Sequence, residues 1–395
     1  MRRVVITGVG AVTPLGRPIT RFDASGYAVR IAGEVINFVL DAAVDPREAR
    51  RASQHVRYAL NASLEALRNA QLDPTTMDRE RLGVIYGTGA GGIDLIGENV
   101  EILRDKGTRR VAPTLIANMI DDAASGYIAI QTGALGPNMA IVAACSTGGH
   151  NIGEAFETIR RDDADVIIAG GAESPIVPVI VSSFTNMRGL AGDNENPTAA
   201  CKPFDARRDG FVLSEGAGAV ILEELEHALR RGAPIIAEVI GYGNSNDAKD
   251  MIAAGDDGAG PARAMKMAIR KAGIDPLTVD YVNAHGTGTP LNDMAETRAI
   301  KTVFGDHAYQ MLVNSSKSML GHMMGAAGAV ECIIAALSVH HGVVHPTLNL
   351  VEADPNCDLD YVPGVARHAD VRIALSNSIG LGGHNSALIV RRYEA

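Results

Sequence analysis

Residues 141–156 read IVAACSTGGHNIGEAF and place one cysteine, Cys145, between an apolar, β-branched run and a helical pattern. The run predicts a buried strand, and the small residues after Cys145 predict a helix that packs closely against neighbouring backbone. The N–H groups of the first helical turn and the positive end of the helix dipole would then face the sulfur. We expect a lowered thiol pKa and donors for an oxyanion, although a small buried core cysteine explains this segment equally well.

A similar pattern recurs in the second half of the chain, where residues 311–334 read MLVNSSKSMLGHMMGAAGAVECII. Apolar runs and amphipathic helical patterns alternate along the chain, which predicts an α/β protein with sheets buried on both faces. We therefore expect two pseudo-duplicated α/β halves, residues 1–233 and 234–395. The predicted strands are 2–8, 81–89, 138–145, 163–171, 216–225, 233–243, 279–286, 310–316, 371–378 and 385–392, and the main predicted helices are 54–70, 148–161, 260–272, 293–304 and 324–341.

Composition and charge argue against several classes of protein. The 395 residues carry a net charge of −10 without a block of like charge, so we expect no nucleic-acid partner and no membrane surface. No stretch approaches the ~20 apolar residues of a membrane span, and a cytoplasmic protein is predicted. The spacing of the cysteines suits neither a disulfide framework nor a zinc site, and we expect no transition metal.

One glycine-rich segment imitates a nucleotide-binding loop. Residues 87–92, GTGAGG, follow a predicted strand and fit the G-x-G-x-x-G pattern. A dinucleotide fold also needs a helix followed by a second strand that ends in an acidic residue, whereas here the helical pattern runs into charge with no strand after it. We therefore expect no nicotinamide or flavin cofactor.

Two more corners carry reactive residue types. VNAHGTGTPLND, residues 282–293, places His285 just after a predicted strand, and SSKSMLGHMMGAAG, residues 315–328, contains Lys317 and His322. A single histidine of this kind is more often structural than catalytic. Two histidines and a lysine at strand ends, in a chain whose Cys145 has the same setting, favour a catalytic site.

Five segments together resemble the β-ketoacyl-acyl-carrier-protein synthases, and most closely the type II elongating (condensing) enzymes of fatty acid synthesis. The similarity runs from residue 2 to about residue 392, and the segments occur in the order found in that family. They are VAACSTGGHNIGEAF, KPFDARRDGFVLSEGAGAVILEE, YVNAHGTGTPLNDMAE, NSSKSMLGHMMGAAGAVE and LSNSIGLGGHNSALIV. The resemblance implies a thiolase-like fold with α-β-α-β-α layers, a homodimer and a Cys-His-His centre.

By this resemblance Cys145 accepts an acyl group from acyl carrier protein. Malonyl-acyl carrier protein then loses CO2, and its enolate attacks the acyl thioester. His285 and His322 would donate hydrogen bonds to the enolate oxygen, and Lys317 would lie behind His322 and orient it. The phosphopantetheine arrives on the carrier protein, so no cofactor is expected.

The family pattern also implies binding residues. The oxyanion of acyl transfer would be held by the backbone N–H groups of Cys145 and Leu381, and Thr287 and Thr289 would bind the phosphopantetheine arm. The acyl pocket would be lined by Ile116, Ile379 and Leu381. A monovalent-cation site, or equally a simple hydrogen-bonded cluster, is implied for Asn283, Glu331, Ser376 and Asn377. Because carrier proteins are acidic, a basic docking patch is expected, with the candidates Arg57, Arg68, Arg207 and Arg208.

The sequence departs from the family at three places. Ile379 and Leu381 stand where aromatic residues are usual, and Asp250 and Ile252 replace the usual His and Thr, so the acyl-chain preference is open. Only two residues separate TPLG from ITRFDAS, where the family has a helix and a loop.

Three alternatives follow from these observations. A ketosynthase of a specialised polyketide or polyene pathway is compatible with the aliphatic residues. A non-catalytic partner subunit is disfavoured because the nucleophile and both histidines are present. A thiolase with a second catalytic cysteine is disfavoured because neither Cys332 nor Cys357 lies in a glycine-rich corner.

Overall fold

A computed structural model describes residues 1–252, 255 and 257–394. The strands are β1 (Val4–Val12), β2 (Leu15–Pro18), β3 (Ile31–Glu34), β4 (Leu82–Gly87), β5 (Asn138–Met139), β6 (Val166–Glu173), β7 (Gly216–Glu224), β8 (Ala237–Asn246), β9 (Tyr281–Asn283), β10 (Leu312–Asn314), β11 (Val343–Val344), β12 (Arg367–His368), β13 (Ile373–Gly380) and β14 (His384–Arg391). The helices are α1 (Pro46–Ala49), α2 (Gln54–Asn69), α3 (Ile93–Lys106), α4 (Leu115–Met119), α5 (Ala123–Thr132), α6 (Thr147–Arg160), α7 (Pro178–Asn186), α8 (Leu225–Arg230), α9 (Ala259–Ala272), α10 (Pro290–Phe304), α11 (Lys317–Leu320) and α12 (Ala327–His341).

The main sheet has ten strands in the order β10-β9-β13-β14-β8-β1-β7-β6-β4-β5. Read outward from the β8–β1 junction, each side has two antiparallel pairings followed by two parallel ones. The two sides therefore repeat one topology, as the sequence predicted. The predicted boundary at residue 233 lies between α8 and β8 and remains a prediction.

The central layer consists of α6 and α12. These two helices pack against each other and against strands of both sides of the sheet, whereas α2 covers the outer face of one side and α9 the outer face of the other. An added Cβ on Gly148 would lie 2.6 Å from the nitrogen of Ala329, so glycine is required where α6 and α12 meet. The result is the expected α-β-α-β-α arrangement.

The helical stretch Met324–His341 is the one membrane-span candidate among the described residues, by length and apolar composition, and 72% of it is buried inside the fold. It is the central helix α12 with its preceding turn. Its apolar composition is therefore explained by its place between two sheet layers.

The predicted strand 138–145 differs most from the structure. Only Asn138 and Met139 pair, with β4, at the edge of the sheet. The chain then leaves the sheet and forms a 3-10 turn, Ala144–Ser146, whose first residue has a positive φ of 49°. The predicted burial of this run is also wrong in part: Met139 and Val142 are exposed, and only Ala143 and Cys145 of the run are buried.

Candidate active site

Cys145 lies in the Ala144–Ser146 turn and is 5% exposed. The backbone N–H groups of Leu381 and of Cys145 itself point at the sulfur, and they are the two donors expected for an oxyanion. Burial nevertheless raises the pKa of the Cys145 thiol to about 11. The expected lowering is therefore wrong in direction, because the cost of desolvating a thiolate exceeds the help from two N–H groups.

Cys145 shares a cavity of about 400 Å³ with both predicted histidines. His285 enters it from the corner after β9, and His322 enters it from the turn after α11. Four more predicted residues lie on its wall: Thr287, Thr289, Ile379 and Leu381. The apolar remainder of the wall includes Phe184, Met187, Phe211 and Met324. Residues from both halves of the fold therefore meet in one space.

The two imidazole rings are both neutral hydrogen-bond donors. Their centroids are 5.2 Å apart with an interplanar angle of 85°. Burial, reinforced by the charge of Lys317, lowers the pKa of His285 and of His322 well below the ordinary value. His322 Nδ1 accepts the N–H of Met324 at 3.3 Å, and His285 Nδ1 accepts from Lys317 Nζ at 3.2 Å. The proton of each neutral ring is therefore on Nε2.

Lys317 contacts His285 rather than His322. Its ammonium lies between His285 Nδ1 and the carboxylate of Glu331, with which it forms a buried ion pair. The predicted place behind His322 is therefore wrong. Lys317 begins α11, whereas His322 follows the turn that ends α11 at Gly321, φ 65°, so this turn separates the two side chains.

Two buried carboxylates, neither of them a predicted site residue, hold the corner around His285. Glu296 accepts the backbone N–H groups of His285 and Gly286, each at 2.7 Å, and the amide of Asn377 at 2.7 Å. Burial raises the pKa of Glu296 to about 7. Asp293, one turn earlier in α10, accepts two further backbone N–H groups. The three-residue spacing of Asp293 and Glu296, which places both on one face of a predicted helix, is the sequence pattern that could have identified them.

Family comparison agrees with this geometry. "Beta-ketoacyl synthase, N-terminal domain" matches residues 18–228, and "Beta-ketoacyl synthase, C-terminal domain" matches residues 236–351. This chain belongs to the β-ketoacyl synthase family. It is 44% identical to 3-oxoacyl-[acyl-carrier-protein] synthase 2 of Staphylococcus aureus (strain COL) over 411 residues, which cover 100% of this chain and 99% of the relative. The protein of the same name from Synechocystis is 44% identical over 410 residues, with the same coverage.

Solved β-ketoacyl synthases have the same fold. A β-ketoacyl synthase from Burkholderia phymatum STM815 superposes with a TM-score of 0.93 at 32% identity. AntDE:AntF, a type II polyketide acyl-carrier protein in complex with its ketosynthase, gives 0.91 at 34% identity. Each comparison covers 100% of both chains. The predicted family and thiolase-like fold are confirmed, and this β-ketoacyl synthase is an acyltransferase of the condensing type.

One predicted acyl-pocket residue lies elsewhere. Ile116, on α4, is 64% exposed and does not line the cavity. The expectation that it lines the acyl pocket is therefore not met within the single chain. The unusual Ile252 does lie at the cavity, and its backbone N–H donates to the side chain of Asp250 at 2.8 Å.

The four candidate cation ligands divide between two faces of the sheet. Asn283 and Ser376 are paired residues on neighbouring strands, whereas Asn377 points to the opposite face, where it binds Glu296. Asn283 Oδ1 and Glu331 Oε2, and Asn377 Oδ1 on the opposite face, are buried without a hydrogen-bond partner among the described residues. Orphaned oxygens of this kind fit a monovalent cation, with Asn283, Ser376 and Glu331 as the side chains able to hold it.

The predicted docking arginines do not form a patch at the cavity. Arg208 is buried and binds Asp354 at 2.7 Å, so it cannot receive a partner. Arg207 binds Asp205, Arg68 binds Asp41, and Arg57 donates to the carbonyl of Ala49; none of these arginines lines the cavity. Arg188, which was not predicted, is exposed and lies at the cavity.

Proposed function

We propose that this β-ketoacyl synthase catalyses the decarboxylative Claisen condensation of an acyl group on Cys145 with malonyl-acyl carrier protein. The products are CO2 and 3-oxoacyl-acyl carrier protein, in fatty acid elongation. The observation that carries the proposal is the shared cavity, where one thiol meets two neutral imidazole donors. The relatives with 44% identity are named for this activity.

The first step is acyl transfer from the carrier. Cys145 Sγ attacks the thioester carbonyl, the carrier sulfur leaves and takes up the thiol proton, and an acyl-Cys145 thioester replaces the carrier thioester. With the thiol pKa raised to about 11, the attacking thiolate is a minor form of Cys145, and its proton is the one that the carrier sulfur takes up. The N–H groups of Cys145 and Leu381 would stabilise the tetrahedral oxyanion.

The second step uses the imidazole pair. Cleavage of the bond between the malonyl methylene carbon and the free carboxylate releases CO2 and leaves negative charge on the thioester oxygen. The Nε2–H groups of His285 and His322 would donate to that oxygen, and each such donor contributes about 3–4 kcal/mol by analogy with other oxyanion holes. The enolate carbon then attacks the acyl-Cys145 carbonyl and the Cys145 sulfur leaves as a thiolate, which takes up a proton from solvent and restores the resting thiol.

Acyl carrier protein, in its acyl and malonyl forms, is the proposed partner. Its phosphopantetheine arm would pass Thr287 and Thr289, whose hydroxyls are 2.9 Å apart on the cavity wall. Because the arm arrives on the carrier, the proposed reaction includes no separate cofactor. The exposed Arg188 is the proposed carrier contact at the entrance.

Reversal of this charge, Arg188→Glu, is expected to raise KM for carrier-bound substrate but not for a pantetheine thioester; an equal rise for both would remove Arg188 from docking.

A cytoplasmic homodimer that pairs through the β5 edge is also proposed. β5 is the last strand of the main sheet, and both of its residues are exposed. Exposed apolar side chains occur in the chain before and after β5: Ile116, Ile120 and Val142. A second copy would extend the sheet and cover this surface. Sedimentation tests this proposal: the wild type should be a dimer and Val142→Asp a monomer. A variant that stays dimeric would place the interface elsewhere.

The decisive experiment supplies malonyl-carrier with acyl-carriers of several lengths and identifies products by mass spectrometry. We expect 3-oxoacyl products two carbons longer. Cys145→Ala should abolish condensation and retain some malonyl decarboxylation; elongation by this variant would show that another residue is the nucleophile. Products with several unreduced keto groups would instead support a specialised polyketide ketosynthase, and inactivity with every carrier would support a partner subunit.

A further inference from the structure

The two halves of the fold contain two turns of the same kind. Ala144–Ser146 leads into α6, and Met324–Ala326 leads into α12; both are 3-10 turns. The first residue of each has a positive φ, 49° and 47° respectively. Because α6 and α12 are the paired central helices of the duplicated topology, the middle residues correspond. Cys145 is the middle residue of one turn, and Gly325 is the middle residue of the other.

The strands beside the two turns correspond as well. β6 and β13 each have eight residues and hold the third place outward from the centre of the sheet. β13 ends at Gly380, where an added Cβ would lie 3.3 Å from the nitrogen of Cys145. β6 ends at Glu173, which accepts the N–H of Gly325 at 2.9 Å. A protein carboxylate thus occupies the turn that corresponds to the nucleophile turn.

The carboxylate of Glu173 is held like a bound oxyanion. It is 1% exposed and accepts from Thr88 Oγ1 at 2.7 Å, Gly89 N at 2.8 Å, Ala90 N at 3.1 Å and Gly325 N at 2.9 Å. An added Cβ on Gly89 or Gly325 would lie 2.7 Å or 2.6 Å from its Oε2. The pocket is therefore filled. Burial raises the pKa of Glu173, whereas its four donors lower that pKa and favour the charged carboxylate.

We infer that Glu173 is a positioning residue for His322 and acts through the turn at Gly325. His322 Nδ1 accepts the N–H of Met324, the residue before Gly325. The carboxylate fixes the turn, and the turn presents the N–H that keeps the His322 proton on Nε2. This inference rests on the proposed function, which gives His322 the malonyl oxygen. Acylation of Cys145 uses donors at the other turn, and the charge of Glu173 acts on it only by raising the pKa of the Cys145 thiol.

The test separates the two half-reactions in Glu173→Gln. Acyl transfer is measured as labelled acyl-Cys145, and decarboxylation as CO2 released from malonyl-carrier. We expect decarboxylation to fall about tenfold to a hundredfold, because the Gln side chain has one acceptor oxygen in place of two and leaves backbone N–H groups without an acceptor. Acyl transfer should not fall by more than about threefold. Thr88→Val is the matched control, because Thr88 donates to the carboxylate oxygen that does not bind Gly325. Both half-reactions should stay within about threefold in this control.

The outcomes distinguish this inference from the proposed function. A wild-type protein that performs neither half-reaction refutes the function, whereas equal losses of both half-reactions in Glu173→Gln refute only the positioning role. If that variant does not fold, Glu173→Asp, which keeps the charge but shortens its reach, is compared in the same way. Nitrogen NMR of labelled histidine, assigned with His322→Gln, gives a second readout. The His322 signal should report Nε2–H in the wild type and change in the Glu173 variant; an unchanged signal overturns the inference.

Discussion

The two walls of the active cavity are built by different means. At the thiol wall, a 3-10 turn and the backbone N–H groups of Cys145 and Leu381 create the site, so backbone geometry is the main determinant. At the imidazole wall, His285 lies against the buried Lys317–Glu331 ion pair. Backbone geometry tolerates changes in charge, whereas a buried ion pair does not. The two walls are therefore expected to respond differently to mutation and to pH.

Removal of one imidazole should produce the largest difference between the effect on decarboxylation and the effect on acyl transfer. His285→Ala or His322→Ala deletes one donor to the enolate oxygen, and we expect decarboxylation to fall about 10²–10³-fold. Formation of labelled acyl-Cys145 should continue at a comparable rate, because its donors are backbone N–H groups of the other wall. A parallel collapse of acyl transfer would mean that the histidines serve the nucleophile instead.

The pH dependence of alkylation tests the raised pKa of the Cys145 thiol directly. Only the thiolate reacts, so a pKa raised to about 11 predicts a rate of iodoacetamide modification that rises about a hundredfold between pH 7 and pH 9. Modification is followed by peptide mass spectrometry at Cys145, with the unfolded protein as the reference. A rate that levels off below pH 8 would show that the helix end and the N–H donors outweigh burial.

This contrast also explains which features the sequence could predict. The Cys145 corner and the shared topology depend on local patterns of small and β-branched residues, and both were predicted. The partner of Lys317 could not be predicted, because His285 and Glu331 lie 32 and 14 residues away and meet it only through packing. The direction of the Cys145 pKa was missed for a related reason, since burial of the thiol depends on the second half of the chain.

Removal of the buried Lys317 ammonium should have a smaller effect on catalysis and a clear cost in stability. Lys317→Met removes the donor to His285 Nδ1, and we expect decarboxylation to fall about tenfold. It also leaves Glu331 buried without its partner, which costs about 3–5 kcal/mol in the free energy of unfolding. The double variant Lys317→Met/Glu331→Gln should recover most of the stability but not the rate. Recovery of both would make Lys317 a purely structural residue.

The smallest expected effect concerns Glu215, two residues after Leu213, which forms an isolated β-bridge with His322. The N–H of the preceding Ser214 donates to the His322 carbonyl, and Glu215 itself binds Arg21 and Tyr58. Burial raises the pKa of Glu215 to about 7, while Arg21 lowers it and the nearby carboxylate of Glu34 raises it.

The sign of the pH effect on Glu215 follows from this shift. A carboxyl with a raised folded-state pKa contributes stability that is complete below about pH 4.5 and is lost as the pH rises through 7. Glu215→Gln replaces the buried, unpartnered Oε2 by an amide group that stays neutral at every pH. The free energy of unfolding of the wild type, relative to the variant, should therefore fall by about 1–3 kcal/mol between pH 5 and pH 8. Urea titrations at both pH values measure this difference; a constant difference would mean that Arg21 keeps Glu215 charged throughout.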